Sequence, residues 1–211
     1  MVSRKKNIFD RAQQKHPLKV LIYVAIAGIV MLFFTMMVLF AFYHPGTLLH
    51  GKPFPKAFWG STVVIITSSF TIETAWRAYR RDDSRKLLNS LMLTMALALV
   101  FTVLQYFGWT QLWESGITLY DVPSENGAQA SPAGAFLFVI SGLHVLHLGG
   151  GLVFLFLAMF RAVNVRGDDV RSVVYFSDRL EATRIEMLAK YWHFLGALWI
   201  VLLLYFRWFF R

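Results

Sequence analysis

Residues 141–151 read SGLHVLHLGGG, and His144 and His147 stand three apart in a stretch that carries no charged residue from Ser131 to Phe160. Two imidazoles at this spacing on an apolar helix are groups that a haem b or a metal ion would use. A haem b needs an axial histidine on a facing helix at matching depth, and a metal needs three or four convergent nitrogen or oxygen ligands. The other histidine deep in an apolar stretch is His193, in KYWHFLGALW, whereas His16, His44 and His50 fall at ends or in loops. A site shared between His193 and His144 or His147 is geometrically conceivable, with no carboxylate close to it in sequence. The competing reading makes both histidines packing groups, each satisfied by an interhelical hydrogen bond. With no cysteine in the chain, disulfides, zinc thiolates, iron-sulfur clusters and covalently attached haem are excluded.

Two further polar clusters interrupt apolar runs. Glu73 and Arg77, in TIETAWRAYRR, are four residues apart and pair on one helical face, with Arg77 long enough to snorkel. Glu186, Lys190 and His193 are spaced i, i+4, i+7 at the start of the last apolar run. A proton relay needs such groups at several depths in series, and this chain offers almost none in the opposite half of its spans. Interfacial salt links are the simpler reading of both clusters.

These residues must be carried by membrane helices. Of 211 residues, 57% are apolar and 17% aromatic, and the apolar ones form long blocks rather than helical stripes. A hydrocarbon core of about 30 Å needs about 20 apolar residues per spanning helix. Five segments qualify, at about 18–43, 57–79, 87–109, 132–160 and 186–208. The expected fold is an all-α transmembrane bundle of five spans (18–211) behind a basic amino-terminal segment (1–17). The first span follows SRKKNIFDRAQQKHPLK without a small-residue cleavage site, so it reads as retained rather than as a removed signal peptide.

Lysine and arginine segregate 17 against 4 between the two sides of this scheme. The rich side holds the amino-terminal segment, the 77–86 stretch with the end of the second span, and the 161–190 connection; the poor side holds Lys52, Lys56, Arg207 and Arg211. The amino terminus is therefore expected to be cytoplasmic and the carboxyl terminus periplasmic. The formal charge of +9 is explained by orientation and anionic headgroups, and nucleic-acid binding is not expected. Tyr43, Trp59, Trp109, Trp113, Trp192 and Trp208 fall near span ends, as interfacial rings do. On the fourth span His144, His147 and Gly151 share one face, and Gly134, Ser141, Gly142 and Gly149 lie nearly opposite, so this helix is expected to pack on two sides. The acidic connection with Glu114, Asp121 and Glu125 reads as a solvated exterior loop, the alternative being a surface that meets a partner protein.

These motifs carry a resemblance over nearly the whole chain. SGLHVLH, followed 44 residues after His147 by YWHF and then Trp199, resembles subunit III of haem-copper oxidases, with its GFHGLHV and YWHFVDxxW signatures. LQYFGWTQLWESGITL is similar to the family's LGQxYEWxxLxxEGLTL, and VMLFF at 30–34 to its SEVMLF. Five spans match the shorter bacterial versions. The resemblance implies a non-catalytic core subunit of a terminal oxidase in the bacterial inner membrane, without haem or copper of its own. Those centres would lie in the partner subunits I and II. It also implies a phospholipid-holding cleft, for which Arg161, Glu186 and His193 occupy matching positions, and a packing role for His144, His147, Glu73 and Arg77. Three acidic family positions are replaced, by Ile29, Gly108 and Gly196, which removes the carboxylates that direct proton handling would use. A subunit of a quinol oxidase or nitric oxide reductase would look much the same. A di-histidine haem b carrier remains the alternative from another class, while a transporter is disfavoured because no matched pair of broken half-helices is present.

Overall fold

The computed structural model describes residues 17–42, 49–119, 133–165 and 169–211. Among them there are six helices and no strand: α1 (Pro17–Phe42), α2 (Lys56–Tyr79), α3 (Ser84–Glu114), α4 (Ala133–Val165), α5 (Asp169–Ser177) and α6 (Arg179–Phe209). The basic amino-terminal segment, His16, Tyr43, His44 and the acidic loop residues Asp121 and Glu125 lie outside the described residues.

Among the described residues four helices are long and apolar enough to cross a membrane: Leu18–Phe42 within α1, together with α3, α4 and α6. The expected fifth, α2, has the length, at 24 residues, but its composition falls short. The cause is a run of hydroxyls, and each of them is satisfied at home. Ser61, Thr62, Thr67, Ser68, Ser69, Thr71 and Thr74 all donate to carbonyls three or four residues earlier in the same helix. Such back-bonding removes the donors that hydrocarbon would penalise.

The helices also overrun the expected span ends. Asp83 accepts a hydrogen bond from the Lys86 amide at 2.9 Å and caps α3 at Ser84. Asp178 accepts from the Leu180 amide at 2.7 Å and starts α6 two turns before the apolar run. The caps satisfy orphan amides at the helix ends, so each helix begins in its polar flank. α2 and α3 form a tight antiparallel hairpin through Arg80–Asp83. Its Asp82 takes φ 55°, a left-handed conformation that aspartate tolerates better than most residues.

α2 packs against α3 and α6 while Val63 and Phe70 on its outer face are exposed, and its small hydroxyls are the sockets of the bundle. The indole N–H of Trp192 donates to Ser68 Oγ and that of Trp199 to Thr62 Oγ1, both at 3.0 Å. Gln105 Nε2 reaches Ser61 Oγ at 3.0 Å, and Thr71 and Thr94 share a hydrogen bond of 2.7 Å. On the far side of α3, Trp109 Nε1 donates to Ser141 Oγ of α4 at 3.0 Å. In lipid, where apolar surface gains little by leaving its surroundings, close packing and such bonds provide the association. Trp192, fully buried, and Trp109, half-buried, are therefore interior residues rather than interfacial rings; Trp59, Trp113 and Trp208 are exposed.

α1 stands at the edge, packed against α4 and α6. Phe33 and Phe40 turn inward, Phe40 into a cluster with Tyr205, Phe206 and Phe209. Leu21, Val24, Met31 and Phe34 on its other sides are exposed.

Candidate functional site

The two histidines of the fourth span do share a face, as their spacing requires, yet they differ in environment. His144 is completely buried, with the rings of Phe101 and Trp199 at 6.0 and 5.4 Å. Neither of its nitrogens has a hydrogen-bond partner among the described residues, so the expected interhelical bond is not made. His147 is half-buried. Its Nδ1 meets the Leu143 carbonyl of its own helix at 2.7 Å and its ring stands edge-on to Phe33 of α1 at 5.6 Å. The interhelical bond at this position comes from the backbone instead, since Tyr191 Oη donates to the His147 carbonyl at 3.1 Å.

The glycines explain how closely the helices approach. A methyl at Gly151 would lie 3.2–3.3 Å from Leu195, Trp192 and Tyr191, so this position seats α4 on α6. At Gly134 a methyl would come 2.5 Å from the Thr118 carbonyl. Gly142 and Gly149, expected to pack, have nothing within 4 Å; the second packing side of α4 consists of Gly134 and Ser141.

A buried imidazole without a partner keeps the desolvation cost and gains no bond. Leucine or phenylalanine at His144 should therefore leave thermal stability within about 1 kcal/mol of the parent, or raise it. Asparagine, equally polar and smaller, should lower it. A clear loss with His144→Phe, measured by thermal unfolding in mild detergent, would reveal a bond that the imidazole makes in the assembled state.

His193 points elsewhere. Its Nε2 lies 3.6 Å from Glu73 Oε2, and Arg77 Nε donates to Glu73 Oε1 at 2.9 Å. The sequence did not reveal the His193–Glu73 pairing, because the residues are on different helices and their common depth is set by packing. This triad closes one end of an open groove of about 470 Å³ between α2 and α6, whose floor includes Ser69 and Gly196. A carboxylate thus stands beside His193 although residue 196 is glycine.

A second cleft of about 290 Å³ lies between α1, α4 and α6. Its walls are apolar, with Leu21, Ile29, Leu157 and Leu188 among them, and its charged end holds Arg161, Glu181 and Arg184. Arg161 Nη1 is 3.7 Å from Glu181 Oε2, and Arg184 pairs with the same carboxylate. Glu181 was missed in the sequence, although the pattern Asp178-x-x-Glu181 is a helix-start signature that marks it. Glu186 lies beside this cleft, not in its lining. It accepts from Lys19 of α1 at 2.8 Å and from Lys190 at 2.6 Å. Arg161 and His193 consequently border two different clefts.

Among the described residues no group of three or more histidine, aspartate or glutamate side chains is arranged to hold a metal. His144 is enclosed by aromatic rings, His147 bonds its own helix, and His193 faces Glu73.

Comparison with known proteins adds an independent line. A family model described as Cytochrome c oxidase subunit III matches residues 59–210, which takes in nearly all of α2 and everything after it. The chain is 28% identical over 148 residues to cytochrome c oxidase subunit 3 of Cyanidium caldarium, covering 70% of this chain and 47% of that protein. It is 26% identical over 148 residues to the Spodoptera frugiperda subunit 3, covering 70% and 86%. With a probable cytochrome c oxidase subunit 3 of Mycobacterium tuberculosis it shares 30% over 142 residues, 67% of this chain and 60% of that one. The chain spans about half the length of several curated relatives that it matches, the Cyanidium caldarium protein among them.

Proposed function

Because this chain belongs to the cytochrome c oxidase subunit III family, we propose that it serves as a non-catalytic core membrane subunit of a haem-copper terminal oxidase. It packs on subunit I, in a complex with subunit II, holds phospholipid, and sustains turnover in aerobic respiration. The observation that carries this reading is the use made of the histidines. His144 fills a ring-lined interior position, His147 closes on its own helix, and His193 pairs with a carboxylate, so the polar groups most able to bind a cofactor serve packing. In this reading all five long helices span the inner membrane. α2 crosses with its hydroxyls bonded to its own carbonyls, and the Lys/Arg-rich ends face the cytoplasm.

The α1–α4–α6 cleft is the proposed lipid seat. Guanidinium is always charged and matches phosphate with a two-pronged fork, and Arg161 stands at the charged end of an apolar groove suited to acyl chains. Glu186 contributes indirectly, by holding Lys19 and with it the α1 end that forms one wall. His193 and Arg77 would meet lipid or protein in the other groove.

Purification of the tagged chain in mild detergent tests the assignment. A large haem-bearing subunit should accompany it, and the chain freed from that subunit should show no Soret band; a Soret band in the isolated chain would favour the haem b carrier. Arg161→Ala should release a tightly retained phospholipid, detected by mass spectrometry. Activity should then decay faster during turnover with little change in initial rate. Equal lipid content in variant and parent would leave Arg161 only its part in orienting the chain.

A further inference from the structure

Helix α5 is apolar on two opposite faces. Tyr175 is buried, and the Tyr79 hydroxyl at the end of α2 donates to the Tyr175 carbonyl at 2.8 Å. The Tyr79 ring lies 5.5 Å from Tyr175 and 5.3 Å from Phe176. This aromatic face fixes the helix to the bundle. At 100° per residue Val170, Val173 and Val174 fall on the other side, and they are 75%, 67% and 64% exposed. Valine is a poor helix former in water, and three of them on one outward face of a nine-residue helix leave a contiguous apolar strip uncovered.

The level of α5 identifies what covers this strip. α5 touches the end of α2 at Tyr79 and shares an open groove with Arg161, Asn164 and Asp178. It therefore lies where α2 and α4 end and α6 begins, at the edge of the apolar spans and not out in solution. Arg161 and Arg171 line that groove beside Asp178 and Glu181, and Arg179 and Arg184 lie in the first turns of α6, a charged rim whose arginines suit anionic headgroups. A valine strip within such a rim, pinned at the depth where spans end, has the composition of an interfacial anchor.

We propose that α5 is a membrane-surface anchor whose Val170, Val173 and Val174 face inserts among the lipids of the Lys/Arg-rich leaflet. It would hold the α4–α6 connection, and with it the end of α4 that bears Arg161, at a fixed depth. The inference rests on the membrane placement given above, and the test separates the two.

The chain has no cysteine, so Val174→Cys provides a single spin-label site on this subunit. Labelled complex would be reconstituted in vesicles containing anionic phospholipid, with parent complex treated identically as the blank. Collision with oxygen should exceed collision with a water-soluble nickel chelate severalfold, and the depth should fall near the headgroup boundary. A strong nickel signal would place the strip in water, and low accessibility to both reagents would place it under a partner protein; either result overturns the proposal. Met31→Cys and Leu146→Cys, at exposed positions in the middle of α1 and α4, report on the spans. If neither shows the oxygen-rich, nickel-poor signature, the membrane placement fails and the proposal with it; if they show it and Val174 does not, the anchor alone is refuted. Val173→Asp with Val174→Asp gives a second reading. Spin-label depth at residue 164 should shift outward in that variant, and an unchanged depth would show that the valines anchor nothing.

Discussion

Alanine at position 192 should cost the bundle about 3–5 kcal/mol, the usual penalty for deleting a fully buried tryptophan. Trp192 is enclosed, its indole N–H is spent on Ser68 Oγ of α2, and a methyl at Gly151 of α4 would come 3.3 Å from its six-membered ring. One side chain thus joins three helices. Removing it leaves a cavity where lipid cannot follow, and the dispersion lost from its lining is not replaced. Trp192→Phe separates the contributions. It keeps most of the volume and forfeits the hydrogen bond, so its loss should be about 1 kcal/mol. Thermal unfolding of the detergent-solubilised chain would measure both. Equal effects of Ala and Phe would mean that the bond, not the volume, joins the helices.

The second large effect is expected at Gly108. A methyl placed there runs into the Phe58 ring of α2. That ring has little room to yield, since it is 2% exposed and wedged between Phe54 and Trp199, at 5.8 and 5.6 Å. Alanine gains about 1 kcal/mol of helix propensity over glycine, whereas forced overpacking costs about 1–3 kcal/mol and occasionally more. Gly108→Ala should therefore be destabilising on balance. Gly108→Glu, which restores the acidic residue of the resembling family segment, adds a carboxylate to an aromatic interior and should prevent folding of the hairpin. Phe58→Leu combined with Gly108→Ala should recover part of the loss. Gly142→Ala, with open space around it, should be neutral or slightly stabilising in the isolated chain. If Gly108→Ala proves as mild as Gly142→Ala, the α2–α3 contact is not as tight as described.

The spans were legible because lipid imposes a long apolar run, and the runs of α1, α3, α4 and α6 obey it. The ends were less so. α3 and α6 begin at aspartate caps inside polar flanks, where hydropathy is silent and only capping chemistry speaks. α5 escaped notice because nine residues make a short signal, with valines outward and aromatics inward rather than a single apolar stripe. Helical spacing put His144 with His147 correctly, yet it had no means of showing that an aromatic pocket would enclose one and the helix's own carbonyl satisfy the other. Arg161 was visible as the charged end of a span; its carboxylate partner Glu181 comes from α6, beyond the short α5. Likewise His193 and Glu73 are 120 positions apart, and only the packing of α6 on α2 brings them to one depth.

The attachments of α1 carry a consequence for biogenesis. Lys19 bonds Glu186, and Tyr205 donates to the Met37 carbonyl, pairs separated by 167 and 168 residues. At a synthesis rate of roughly 5–20 residues per second, about ten to thirty seconds separate emergence of the first helix from emergence of those partners. α1 therefore leaves the ribosome first and docks late. Until then α4, which emerges earlier, is the one of its two packing partners at hand, and the apolar residues that α1 exposes around most of its circumference suit it to wait in lipid.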